Sequence, residues 1–302
     1  MPYLIRIWLQ WGCLLLLAAC DHVENSTYEP HLADENRRAV VEYAVAIHPL
    51  HNPQRLMAIY GPIVEYIDAR IPEVRFRLEA SRNYAEFDKK LYAGQFAFAM
   101  PNPYQSVRSL KFGYRIFGKM ADDDDFRGIL LVRKDSGIEV VTDLKGKVVA
   151  YPAATALAAT MMPQYYLHTH GIDIHHDIEN RYVGSQESSI MNVLRGHVAA
   201  GATWPVPWKI FTAEHPELAA QLTVKWRTEP LLNNGWVVRK DIPSDVADRF
   251  ADLLFTLHHS EEGRAMLDKI PVSRFEPATD QTYRPVDEFL RRFSVTVRPI
   301  DY

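Results

Sequence analysis

The sequence has almost no cysteine and no strong excess of charge of either sign. Only two cysteines occur in 302 residues, Cys13 and Cys20, and both lie near the N-terminus. This excludes a disulfide framework, a thiolate metal cluster and a cysteine nucleophile in the rest of the chain. The 34 lysines and arginines against 38 aspartates and glutamates give a net charge of −4, so the basic field that attracts nucleic acid is absent. We therefore predict no polynucleotide partner.

The N-terminal apolar run is too short to span a membrane. Residues 7–19 are apolar apart from Gln10, which is the length of a signal-peptide core and below the roughly 20 residues of a membrane-spanning helix. The run ends in Leu-Ala-Ala followed by Cys20, a sequence that resembles a bacterial lipobox. We therefore expect residues 1–19 to be a lipoprotein signal peptide and Cys20 to be lipidated.

The segment after this cysteine predicts a tether. Residues 20–38 are polar and charged with few aliphatic side chains, a composition that does not form a packed core. Asp21 resembles the residue that retains lipoproteins at the inner membrane of enteric-type bacteria. We expect the protein to be anchored on the periplasmic side of the inner membrane, or on the cell surface, with its folded part beginning near Ala39.

Hydrophobic periodicity predicts alternating strands and helices from residue 40 onward. Asn83, Ser185 and Ser244 are predicted helix N-caps, and Pro163 predicts a kink or a break within a helix. The predicted strands cover 40–47, 74–80, 96–100, 128–133, 147–151, 198–202, 222–227 and 235–239. The predicted helices cover 55–71, 83–94, 155–170, 185–195, 245–258 and 261–269.

This order predicts an α/β fold with two lobes. Successive βαβ units build mostly parallel sheets flanked by helices. We expect residues 39–118 to form the first part of one lobe and residues 119–227 to form the second lobe. Residues 228–302 are expected to return, mostly to the first lobe, and to include the C-terminal helices. Such a layout is a clamp with a cleft between its lobes.

Two stretches of the second lobe carry a resemblance to a known family. FRGILLVRKDSGIEVVTDLKGKVVAYP, residues 126–152, and GSQESSIMNVLRGHVAAGATW, residues 184–204, resemble periplasmic substrate-binding proteins of the phosphate, phosphite and phosphonate type. Asn102-Pro103-Tyr104 is similar to a corner in the first lobe of that family. The resemblance covers about residues 40–270 and implies the two-lobed Venus-flytrap fold of type II periplasmic binding proteins.

The chain departs from this family at several ligand-contacting positions. Gln186 and Glu187 stand where the family commonly has His-Asp, and Ala97 and Ala199 stand where it has aspartates. Residues 153–160 replace a Ser-Thr-Ser-Gly turn and keep only two hydroxyl groups. The resemblance therefore implies the fold and a binding role, and leaves the ligand open.

The candidate ligand contacts are residues that follow predicted strands or begin helices. Ligands of open α/β sheets lie beyond the carboxyl ends of the strands, and helix N-termini attract oxyanions. The candidates are His48, Tyr84, Asn102, Tyr104, Tyr151, Thr155, Thr160, Ser185, Gln186, Glu187, Ser188 and Trp204.

Several of these candidates have a purely structural explanation. Asn83 and Ser185 are accounted for by capping alone, and the candidate tyrosines and Trp204 are equally consistent with core positions. Glu187 would repel an anion unless it is protonated, pairs with a ligand amine or points outward. The histidine pairs and the aspartates at 122–125 lack metal-site spacing, so we expect no metal, no catalytic residue and no cofactor.

The resemblance implies a solute-binding lipoprotein of an ABC importer. It would bind a small phosphorus oxyanion, a phosphonate, phosphate or phosphite, and act as a monomer that delivers the solute to permease and ATPase subunits. One alternative is a periplasmic sensor module for a membrane signalling protein. An enzyme on the same fold is the second alternative, although no Gly-X-Ser-X-Gly elbow or Walker loop is present.

Overall fold

The computed structural model of this chain describes residues 40–301. The signal peptide, the lipidated Cys20 and the tether predicted from the sequence lie outside the described residues. Within the described range, no helix has the length and apolar character needed to cross a membrane.

The strands belong to two separate sheets. In chain order they are β1 Val41–Ile47, β2 Val74–Ala80, β3 Phe98–Met100, β4 Tyr114–Met120, β5 Ile129–Arg133, β6 Lys147–Tyr151, β7 Ile178–Tyr182, β8 Ala200–Thr203, β9 Leu222–Arg227, β10 Gly235–Arg239 and β11 Phe275–Pro277. The first sheet has the order β11-β4-β10-β3-β1-β2, and the second has the order β7-β6-β8-β5-β9. We call each sheet with its helices a lobe.

The helices lie between these strands and at the C-terminus. They are α1 Pro53–Asp68, α2 Tyr84–Tyr92, α3 Pro103–Ser109, α4 Met162–Thr169, α5 Gln186–Leu194, α6 Pro205–Glu214, α7 Pro216–Ala219, α8 Ser244–Thr256, α9 Glu261–Leu267 and α10 Arg284–Thr296. The α/β class with two sheets flanked by helices is therefore confirmed.

Both sheets are mixed, so the expectation of mostly parallel sheets is wrong. β1 pairs in parallel with β2 and β3, and β6 pairs in parallel with β7 and β8, as expected for βαβ units. An antiparallel strand extends each sheet, since β10 lies between β3 and β4, and β5 lies between β8 and β9. These inserted strands follow the segments in which the chain passes from one sheet to the other.

Local signals place most helix boundaries correctly. The Asn83 side chain accepts a hydrogen bond from the Glu86 N–H at 2.9 Å, which confirms its capping role. No break occurs at Pro163, because one π-helical turn, residues 157–161, runs directly into α4 at Met162 and Met161 keeps helical dihedral angles. The predicted cap at Ser244 is wrong, since Pro243 occupies the N-cap position and Ser244 is already helical.

Two segments connect the lobes, residues 121–128 and residues 228–234. The Asn233 N–H donates to Asp123 Oδ1 at 2.9 Å, and Asn233 Nδ2 donates to the Ala121 carbonyl at 2.8 Å. The Tyr283 hydroxyl donates to the Asn233 carbonyl. These hydrogen bonds hold the two connecting segments next to each other.

Candidate functional site

A small cavity lies between the two lobes at the carboxyl ends of their strands. Its empty volume is about 210 Å³. The centre of a water molecule can occupy about 10 Å³ of this space. Grooves with larger empty volumes, about 760, 960 and 1100 Å³, lie elsewhere, but the small cavity is at the position where α/β sheets bind ligands. Its lining residues are His48, Tyr84, Asn102, Phe126, Ala156, Leu157, Ala158, Ala159, Gln186, Trp204 and Asn234.

His48 follows β1 and is buried in the cavity wall. Its Nδ1 lies 2.9 Å from the Met100 carbonyl, and a carbonyl only accepts, so Nδ1 carries the proton and donates. Burial lowers the pKa of His48 to about 4. The imidazole is therefore neutral at neutral pH, and Nε2 has a lone pair rather than a proton.

Tyr84 and Gln186 connect the lobes across the cavity. Tyr84 begins α2 of the first lobe and Gln186 begins α5 of the second. Gln186 Oε1 accepts from the Thr203 hydroxyl at 2.8 Å. Burial raises the pKa of Tyr84, while a hydrogen bond to Gln186 opposes that rise. The Tyr84 hydroxyl thus stays protonated beside the amide.

Asn102 makes a second contact between the lobes. It caps α3, with Oδ1 accepting from the Gln105 N–H at 3.2 Å. Its Nδ2 donates to the Thr155 carbonyl at 2.9 Å. Gln105 also donates to Asp88 at 2.5 Å, and burial raises the pKa of Asp88 to about 6. This amide therefore fixes the first lobe against the turn that forms the opposite wall.

That wall is the π-helical turn before α4. The Met161 N–H donates to the Ala156 carbonyl at 3.1 Å, five residues back, and Ala156 provides no side-chain cap. The first N–H groups of any helix have no acceptor within the helix itself. Ala158 and Ala159 line the cavity beside them, and their small side chains leave peptide groups close to the space.

Several predicted contacts lie outside the cavity lining, with their polar atoms engaged elsewhere. The Tyr104 hydroxyl donates to the Asp301 carbonyl at 2.5 Å, and the Thr160 hydroxyl donates to Ala153 at 2.7 Å. Ser185 caps α5 by accepting from the Ser188 N–H at 3.1 Å.

Tyr151 and Thr155 also lie outside the cavity lining, and the buried Tyr151 hydroxyl has no hydrogen-bond partner among the described residues. Tyr151 is fully buried and packs against Tyr182, with ring centroids 6.0 Å apart. Thr155 offers its carbonyl to Asn102. Of the predicted residues, the structure thus gathers His48, Tyr84, Asn102, Gln186 and Trp204 around the cavity.

Glu187 pairs with a histidine of the other lobe. Its Oε1 lies 3.0 Å from His51 Nδ1. Burial alone would raise the pKa of Glu187, but the hydrogen bond and charge of His51 outweigh burial, and the pKa is lowered. Nearby, Arg55 of α1 donates to both carboxylate oxygens of Glu214 in α6, at 3.0 and 2.5 Å. These two side-chain pairs connect the lobes beside the cavity. The Glu187 carboxylate therefore contacts His51 of the first lobe.

Sequence reasoning missed two residues of the cavity wall. Phe126 and Asn234 lie in the segments that connect the lobes, and no strand end or helix start marks them. Residues 157–159 lie in the loop and helix start after β6 that we expected to attract an oxyanion, although only Thr155 and Thr160 of that segment were named as contacts.

Comparison with known proteins identifies similar sequences. The model of the family described as "ABC transporter, phosphonate, periplasmic substrate-binding protein" matches residues 45–283. A probable ABC transporter phosphite binding protein, PhnD1 of Prochlorococcus marinus strain MIT 9301, is 21% identical over 185 residues. That alignment covers 57% of this chain and 62% of the relative, so it spans less than two thirds of the relative's length.

Solved structures share the fold at low identity. A binding protein component of an ABC phosphonate transporter from Pseudomonas aeruginosa has a TM-score of 0.77 at 17% identity, over 85% of this chain and 88% of that one. PhnD1 of P. marinus in complex with methylphosphonate also has a TM-score of 0.77 at 17% identity, and the match covers 84% of this chain and 98% of that one. The alkanesulfonate-binding protein SsuA of Xanthomonas axonopodis pv. citri, bound to MOPS, has a TM-score of 0.61 at 12% identity. The match covers 86% of this chain and 96% of that one.

Proposed function

The chain belongs to the family of periplasmic substrate-binding proteins of phosphonate ABC transporters, and we propose that it binds a small phosphorus oxyanion between its lobes. The candidates are a phosphonate, phosphate or phosphite. The observation that carries this proposal is the cavity wall, in which the uncapped π-helical turn faces side chains of the first lobe. The site is periplasmic, as the family implies.

The wall suits an anion without a basic side chain. None of the described residues that line the cavity is a lysine or arginine. The start of the helix that continues into α4, at the π-helical turn of residues 157–161, provides local positive potential through its first N–H groups and the helix dipole. Tyr84 and Gln186 add a hydroxyl and an amide from opposite lobes. A net charge of −4 gives no broad attraction, so these local dipoles hold the ligand.

Binding is coupled to closure of the lobes. Asn102 reaches Thr155, and Arg55 reaches Glu214, across the cleft. A ligand that contacts both walls favours the arrangement in which these contacts form, because it has lower affinity for the separated lobes. The closed form would then deliver the solute to the permease and ATPase subunits of an importer. We propose that the protein works without catalysis, as a monomer anchored through lipidated Cys20.

A ligand panel tests this function. Purified protein is heated with phosphate, phosphite, methylphosphonate, an aminoalkylphosphonate, sulfonates and amino acids, and its unfolding temperature is followed. A ligand at about 100 times its Kd stabilises the folded state by roughly 2.7 kcal/mol. We expect stabilisation by at least one phosphorus oxyanion. Stabilisation by an amino acid or a sulfonate alone would refute the proposal.

A further inference from the structure

The cavity that receives the anion also contains a buried hydrogen-bond acceptor without a donor. Asn234 lines the cavity and is 1% exposed. Its Nδ2 donates to Met120 Sδ at 3.4 Å. Its Oδ1 has no hydrogen-bond partner among residues 40–301. A buried carbonyl left in this state is costly, so the position favours a ligand that brings a donor.

His48 provides a second acceptor on the same wall. The Nδ1 proton is used by the Met100 carbonyl at 2.9 Å, which leaves Nε2 as a lone pair. The ring lies 6.0 Å from the Tyr84 ring and 6.5 Å from the Phe87 ring. His51, the other titratable neighbour, disfavours a charge on His48 further, and it pairs in turn with Glu187.

We propose that the site binds the singly protonated oxyanion, with the ligand hydroxyl donating to Asn234 Oδ1, and that Asn234 determines specificity for protonated phosphorus oxyanions over sulfonates. This inference rests on the proposed function and specifies the ionic form of its ligand. The unprotonated oxygens accept from the π-helical turn, Tyr84 and Gln186. The hydroxyl oxygen is the donor that the Asn234 carbonyl otherwise lacks.

The preference for the protonated anion follows from the two hydrogen-bond acceptors in the cavity wall, Asn234 Oδ1 and His48 Nε2. A fully ionised phosphonate would present a charged oxygen to two lone pairs, which is repulsive. Methanesulfonate has the shape and single charge of the methylphosphonate monoanion but no hydroxyl, so it would leave Asn234 Oδ1 unpaired. Leaving one buried acceptor unpaired corresponds to about 10- to 100-fold in affinity.

Calorimetric titration with these two anions tests the inference. Affinities are measured from about pH 5.5 to about pH 8.5, a range that brackets second ionisations of phosphate type. We expect methylphosphonate to bind about 10- to 100-fold tighter than methanesulfonate near pH 6. Its affinity should then fall by up to tenfold per pH unit above its second ionisation. Asp88, whose pKa is about 6, titrates in this range, and the sulfonate profile isolates that contribution because sulfonate itself does not titrate.

The variant Asn234→Leu provides the second readout. It removes the acceptor, so the ratio of the two affinities should fall by about tenfold, whereas Gln281→Leu, an exposed amide, should leave the ratio unchanged. Equal binding of the two anions by wild-type protein, or phosphonate affinity that rises with pH, would overturn the inference even if Asn234→Leu does not fold. Failure of every phosphorus oxyanion to bind at any pH would instead refute the proposed function.

Discussion

Replacing Gln186 by leucine should separate a contact that stabilises the fold from one that stabilises closure. Gln186 Oε1 accepts from the Thr203 hydroxyl at 2.8 Å, and both residues belong to the second lobe. Thr203 is 0% exposed, so its hydroxyl would be left buried without an acceptor. This costs about 1–3 kcal/mol of unfolding free energy. The Tyr84 contact crosses to the first lobe and should affect ligand affinity instead.

The size of the affinity effect follows from one hydrogen bond between lobes. Its net contribution is about 0.5–1.5 kcal/mol, or about two- to tenfold in Kd. The assay is a double-mutant cycle of Tyr84→Phe and Gln186→Leu, with Kd from calorimetry and stability from urea unfolding. Thr203→Val is the matched control, because it should destabilise the protein without weakening binding. Additive effects of the Tyr84 and Gln186 variants on Kd would refute the interlobe contact.

Two further substitutions test the cavity wall and the contacts beside it. A Cβ on Gly128 would lie 2.6 Å from the Ala158 carbonyl, so Gly128→Ala should cost about 1–3 kcal/mol of stability and displace the π-helical turn, weakening ligand binding. Gly61→Ala is its control, since a Cβ there meets nothing within 4 Å, and equal Kd values for both variants would contradict the role of the turn. Glu187→Gln should cost at most about 1 kcal/mol near neutral pH, because the pair with His51 is partly exposed. As the pKa of Glu187 is lowered in the fold, the wild type should lose this advantage as pH falls through that pKa, and a difference in unfolding free energy that persists in acid would contradict the pairing.

Local signals in the sequence account for most of the fold. Asn83 marks a helix start because a short polar side chain caps free N–H groups whatever surrounds it. Strand β7 was not predicted, because its residues carry no local signal. It forms the edge of the second sheet, and its residues are mostly polar and partly exposed, so no apolar pattern marks it.

The candidate site was predicted in part because some of its residues lie at strand ends. His48 and Trp204 directly follow strands, Asn102 lies two residues after β3, and strand ends meet at one edge of each sheet. The position of Asn234 depends on how the chain returns between the lobes. The Tyr104 hydroxyl binds a carbonyl 197 residues away in the sequence. Spacing along the chain contains no information about contacts of this range.

The central claim is that the cavity between the lobes holds a phosphorus oxyanion. Titration calorimetry of purified protein with methylphosphonate, phosphite and phosphate near pH 6 tests it most directly, with Gln186→Leu measured in parallel. We predict saturable binding of one ligand per chain by at least one of these anions, weakened in the variant. The claim is contradicted if none of the three binds, or if binding is unchanged when the wall residue Gln186 is replaced in a variant that still folds.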